Sequence, residues 1–170
     1  MSHKNGILVT DVINLRSKAL LNATLAYIAP QALQKEVIIT DITDNDIWVR
    51  ADADQFEFIF RNVLQNSVKF CDLGSKVTIG NLRAENPDMV TFFISDTGWG
   101  MDKKTVHRIL NDELFAQVRY SSSGGGLGLS LCRMLLKNNG GDMKIETADG
   151  KGTVIYLSFP IANMNSELED

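Results

Sequence analysis

The 170-residue chain carries 17 basic against 21 acidic residues, a formal charge of -4 that offers no positive field to gather nucleic acid or an anionic membrane surface. Its 44% apolar and 22% charged residues are those of a folded globular chain long enough to bury its own core. No apolar run approaches the roughly 20 residues of a spanning helix, and Cys71 and Cys132, far apart and without CxxC spacing, make no zinc site and read as reduced thiols in a core.

Taken in chain order, residues 1–6 lack the apolar core of a signal peptide and are expected to be a flexible terminus or a cloning remnant. Val12, Leu15, Ala19, Leu21, Leu25, Ile28 and Leu33 recur at helical spacing and predict a helical region over 11–35, which Pro30 can break. The β-branched runs 37–42 and 47–51, separated by the polar turn 43–46, predict a hairpin or two adjacent strands. Asp52 or Asp54 then caps a helix whose apolar face is Phe56, Ile59, Phe60, Val63, Leu64, Ser67 and Val68, ending near Phe70.

Residues 76–83 and 89–95 alternate as paired strands around the turn 85–88 and run into a glycine-rich turn at 96–100. A short helix is expected over 102–110, a mobile segment over 116–125, and a third convincing helix over 127–139, stopped by Gly140 and Gly141. Two strands, 143–147 and 153–159, and a frayed acidic tail at 163–170 complete the chain. Strand pairs interrupted by long helices predict an α+β fold, a two-layer sandwich with a mixed sheet and helices on one face. A single folded domain over 7–162 follows, with no internal repeat or linker.

Three segments carry the chemistry. In the run FEFIFRNVLQNSVKF, residues 56–70, Asn62, Asn66 and Lys69 share one helical face. Buried amides left unpaired cost about 1–3 kcal/mol each, so such a stripe asks for a ligand, a metal or water beside it, unless both asparagines simply face solvent. The second segment, Asp96, Thr97, Gly98, Trp99, Gly100 and Met101, ends a strand with glycines that allow close backbone approach; an ordinary Asp-Gly turn reads the same way. The third, Gly124, Gly125, Gly126, Leu127, Gly128 and Leu129, leads glycines into a helix, where bare N–H groups and the helix dipole favour an anion. Gly128 lies inside that helix start, where glycine costs roughly 1 kcal/mol against alanine, so a plain linker does not account for it. Leu129 breaks GxGxxG and no GxxxxGK[ST] occurs, which excludes a dinucleotide fold and a Walker loop.

In this order the segments resemble the N, G1 and G2 boxes of the GHKL superfamily of ATPases and kinases, and most closely the ATP-binding catalytic domain of sensor histidine kinases. The resemblance runs from about Ile7 to Pro160 and implies the Bergerat-type sandwich, with ATP and Mg²⁺ as ligands. By resemblance, Asn66 gives its side-chain oxygen to Mg²⁺, Asn62 and Lys69 lie along the phosphates, and Phe70 lies against the adenine. Asp96 accepts from the adenine amino group, Gly98 and Gly100 shape the pocket floor, and Met101 packs near the base. Gly124, Gly126, Leu127 and Gly128 cradle phosphate. Glu113, Leu114 and Phe115 resemble a poorly preserved F box, and 116–125 a short lid in which Arg119 is the one basic residue. Arg119 or Lys69 is expected at the terminal phosphates, although Arg119 also reads as a solvated surface charge. A second departure is Asn139, where the family often has histidine.

The ATPases of this superfamily place a glutamate one turn before the magnesium asparagine, and here that position is Asn62. Without a base to activate water, the kinase branch of a two-component system is favoured. Its acceptor histidine is followed by an acidic residue, whereas His3 precedes Lys4 and His107 precedes Arg108. The expected partners are therefore a histidine-bearing dimerisation domain of the parent protein and, indirectly, a response regulator receiver domain. The chain itself is expected to be a cytoplasmic monomer, without direct membrane contact, in a parent that can be membrane-anchored. A serine kinase of the anti-sigma-factor type and a nucleotide-binding module without transfer activity stay open as alternatives.

Overall fold

The computed structural model describes residues 3–4, 7–111 and 127–162, with side chains from residue 9 onward. Two short strands, β1 (His3–Lys4) and β2 (Ile7–Leu8), pair with each other. They lead to β3 (Ile13–Arg16), which continues directly into α1 (Ser17–Gln34). Next come β4 (Ile38–Asp41), β5 (Trp48–Ala51) and α2 (Ala53–Lys69). The hairpin of β6 (Lys76–Arg83) and β7 (Met89–Asp96) precedes α3 (Lys103–Leu110). Finally α4 (Leu127–Asn138) packs against α2 and is followed by β8 (Asp142–Thr147) and β9 (Thr153–Pro160).

Five strands form the main sheet in the order β4-β6-β7-β9-β8, parallel only between β4 and β6. Alternation along the strands sends Val77, Ile79, Val90, Phe92, Ile94, Ile155, Leu157 and Phe159 to one buried face. Helices cover that face, and Phe56 and Phe60 of α2 meet Phe92 and Phe159 of the sheet at ring distances of 5.0–6.2 Å. The expected α+β sandwich is thus the fold.

Helix α2 forms where its pattern predicts. The Asp52 carboxylate accepts from the Gln55 amide at 3.0 Å, and Lys35 Nζ closes the other end by donating to the carbonyls of Val68, Lys69 and Cys71. The hairpin, the short third helix and the last two strands also fall where expected.

Three expectations need correction. The helical region does not begin at residue 11. Ile13–Arg16 is a strand paired antiparallel with β5, and Leu15 is buried opposite Val49. Four residues satisfy a helical and an extended period equally, and the unpaired edge of β5 decides between them. Nor does Pro30 break the helix: it lies near the C-terminal end, where one lost ladder bond is tolerated, and Val37 N–H closes the turn on the Ala32 carbonyl at 2.9 Å.

The strands at 38–41 and 48–51 are not each other's partners. β4 joins the main sheet beside β6, while β5 joins β3 in a separate two-stranded ribbon that meets β9 through the Val49–Ile161 bridge. The expected mobile segment 116–125 and the tail 163–170 lie outside the described residues. Among the described helices, none is long and apolar enough to cross a membrane.

Candidate nucleotide-binding site

The end of α2, the turn after β7 and the start of α4 converge on one region. Asn62 and Asn66 stand half-buried on α2, and Asn62 Nδ2 donates to the Phe58 carbonyl at 2.9 Å, which leaves its Oδ1 outward. A Cβ added to Gly128 would stand 3.0 Å from that oxygen, so the first turn of α4 sits directly on the N-box face. The Asn66 side chain makes no hydrogen bond among the described residues.

Asp96 reaches the same place from the sheet. Burial pushes its carboxyl above the usual value, opposed by the Gly98 amide, the Ser67 hydroxyl and the Thr153 amide. Ser67 follows Asn66, so α2 and the G1 turn touch through a serine on the helix's buried face. Sequence reasoning placed Ser67 in the apolar stripe; a hydroxyl there was the available sign of a polar partner across the core.

The G1 turn is held closely. The Gly98 amide donates to Asp96 Oδ1 at 2.9 Å, and the Trp99 amide donates to the Phe70 carbonyl at 3.1 Å. A Cβ on Gly98 would lie 2.5 Å from that carbonyl, and one on Gly100, at φ +75°, would strike the Ala148 carbonyl. Met101 is half-buried, its amide bonded to Thr147 Oγ1 at 2.9 Å, and it borders a cleft of about 380 Å³ between α3 and β8.

Phe70 and Trp99 stand exposed with ring centroids 6.3 Å apart, and Trp99 Nε1 donates to Asp72 at 2.8 Å. Lys69 is exposed with its ammonium 5.4 Å from the Phe70 ring centre, rather than turned along the Asn62–Asn66 stripe. Leu127 and Gly128 begin α4, whereas Arg119, Gly124 and Gly126 lie outside the described residues. Both cysteines are free and buried; burial pushes the Cys132 thiol up to about 12 and also raises that of Cys71, which disfavours the reactive thiolate.

Residues 51–163 match the family of histidine kinase-, DNA gyrase B- and HSP90-like ATPases. The chain is 29% identical to the sensor histidine kinase GacS of Pseudomonas protegens over 97% of its own length and 19% of that of GacS. A sensor-like histidine kinase of Rhizobium meliloti is 33% identical over 79% of the chain and 26% of the relative, and WalK of Bacillus subtilis 29% over 72% and 20%. The chain therefore spans about a quarter or less of these relatives. Full-length ShkA, solved in complex with AMPPNP, matches with a TM-score of 0.75 and 25% identity over 92% of this chain and 32% of ShkA. The mycobacterial sensor histidine kinase MprB shares the fold, with a TM-score of 0.73 and 21% identity over 92% of this chain and all of the MprB chain. The chain belongs to the histidine kinase-, DNA gyrase B- and HSP90-like ATPase family, as a domain homologous to the catalytic domains of sensor histidine kinases.

Proposed function

We propose that this chain is the catalytic domain of a sensor histidine kinase, which binds Mg²⁺-ATP beside the end of α2 and passes the γ-phosphoryl group to a histidine on a dimerisation domain of its parent protein. The observation that carries this reading is the meeting of Asn62, Asn66, Ser67, Asp96 and Gly128, drawn from three separate elements. Similarity to GacS and WalK supports a histidine kinase over a serine kinase of the anti-sigma-factor type. An ATP donor and a receiver-domain relay imply that the domain works in the cytoplasm.

In this reading Asp96 fixes the adenine amino group, Met101 and Phe70 bound the base, and Gly98 and Gly100 keep the floor clear. Backbone amides at Leu127 and Gly128, with the α4 dipole behind them, hold phosphate together with Gly124 and Gly126. Asn66 would hold Mg²⁺ through its side-chain amide oxygen, a hard donor of the kind this ion prefers. No group of three or more His, Cys, Asp and Glu among the described residues could cage a metal instead. Bound Mg²⁺ supplies charge neutralisation on the phosphates.

Asn62 is an amide and cannot take a proton from water, so the γ-phosphoryl group waits for an imidazole nucleophile. Lys69 has the reach to leave the Phe70 ring for a terminal phosphate, and Arg119 is its counterpart from the lid.

The test is calorimetry of Mg²⁺-ATP binding to the chain and to Asn66→Ala and Asp96→Asn variants. Binding by the parent chain that weakens in both variants is the expected result. No binding at millimolar ATP would overturn the proposal.

A further inference from the structure

Helices α2 and α4 run antiparallel, and their contacts occur at three levels. Gly128 faces Asn62 at one end, and Cys132 Sγ approaches the Ile59 carbonyl at 3.8 Å in the middle. At the far end lies a buried polar group, Asn139, Gln55 and Asp52, which are 4%, 0% and 9% exposed. Apolar contacts are non-directional and tolerate sliding, but buried hydrogen bonds do not.

Asn139 saturates this end. Its Oδ1 accepts from the Asp52 amide at 2.7 Å, and its Nδ2 donates to Gln55 Oε1 at 2.8 Å and to the Leu135 carbonyl at 2.7 Å. One side chain thus joins the C-terminus of α4 to the N-terminus of α2, where the helix dipoles are also opposed favourably. A slip of one turn, about 5.4 Å, would break the two bonds that cross to Asp52 and Gln55 and carry Gly128 off Asn62, while the bond to Leu135 stays within α4.

The same group is tied to the chain that leads into the domain. Gln55 Nε2 donates to Thr10 Oγ1 at 3.1 Å, and Asp52 Oδ2 accepts from the Asp11 amide at 2.9 Å. We propose that Asn139, Gln55 and Asp52 are positioning residues that set the register of α4 on α2, and thereby the seat of Gly128 on Asn62, and that the incoming segment at Thr10 and Asp11 bears on this clamp. A displacement of that segment then reaches the N-box face through a helix end rather than through the sheet.

The first readout needs no nucleotide: NMR resonances of the Gly128 amide and the Asn62 side-chain amide in the isotope-labelled chain. Asn139→Ala and Thr10→Val are expected to shift both resonances, and Asn139→His, which keeps a donor and an acceptor, to return them toward the parent positions. The second readout rests on the proposed nucleotide site: Asn139→Ala should weaken Mg²⁺-ATP binding about three- to tenfold at a temperature where the variant is fully folded. A lower melting temperature with unmoved Gly128 and Asn62 would make Asn139 an ordinary core residue and sink the clamp. A silent Thr10→Val would remove the incoming segment from it, and this variant decides the matter if Asn139→Ala does not fold. If the resonances shift but the parent chain binds no nucleotide, the functional reading fails and the clamp stands.

Discussion

At the scale of single residues, Asp96 sets the proposed site against stability. Burial raises its carboxyl pKa, so the folded state holds the proton to higher pH than the unfolded state does. Its contribution is present below the ordinary carboxylate value and is lost as pH rises through the folded value, so at neutral pH the ionised carboxylate costs stability. Asp96→Asn should therefore raise the melting temperature of the nucleotide-free chain at pH 7 in scanning calorimetry. The same change removes a charged acceptor and should weaken Mg²⁺-ATP binding by roughly 10- to 100-fold. In the parent chain affinity should fall on acidification, beginning above the ordinary carboxylate range, and Asp96→Asn should lack that limb in titrations across pH. The neighbouring Gly100 has both a positive φ and a carbonyl where its Cβ would go. Gly100→Ala is expected to cost about 1–3 kcal/mol of stability, measurable by urea unfolding.

At the scale of elements, α2 holds sheet and site together. Phe60 is fully buried and packs against Phe56, Phe92 and Phe159. Phe60→Ala should cost about 3–5 kcal/mol, read from the midpoint of chemical unfolding. The C-terminal end of α2 relies on a residue of another element: Lys35 Nζ meets three carbonyls there at 2.6–3.0 Å. Lys35→Met keeps much of the aliphatic stem and loses the donor, and should cost about 1–2 kcal/mol with faster amide exchange over residues 66–70. The limits of α2 were legible because its capping aspartate, its apolar period and its final turn are all local. Those of α1 were not, since residues 13–16 fit two periods and the free edge of β5 selects the strand.

At the scale of the whole molecule, the described residues contain no histidine followed by an acidic residue, and the chain matches only 19–26% of the relatives named above. The isolated chain with Mg²⁺-ATP should show slow hydrolysis and no labelled histidine by phosphate release and radiolabel assay. Adding the parent's dimerisation helices should yield an acid-labile phosphohistidine on those helices. Rapid release of phosphate by the chain alone would instead place it with the hydrolysing branch of the family.

The sequence by itself determined the α+β class, the order of nearly all elements, and the three segments from which the proposed nucleotide site is drawn, because periodicity, capping and glycine-rich spacing are properties of neighbouring residues. Only the tertiary structure decided that β4 lies parallel beside β6 and that β5 leaves it for β3, since strand partners depend on edges far along the chain. It also decided that Ser67 meets Asp96 and that Asn139 reaches Asp52 across 87 residues of chain. Such bonds leave no periodic mark. They form because a polar atom buried by the surrounding fold must find a partner there, and which one it finds is a matter of packing.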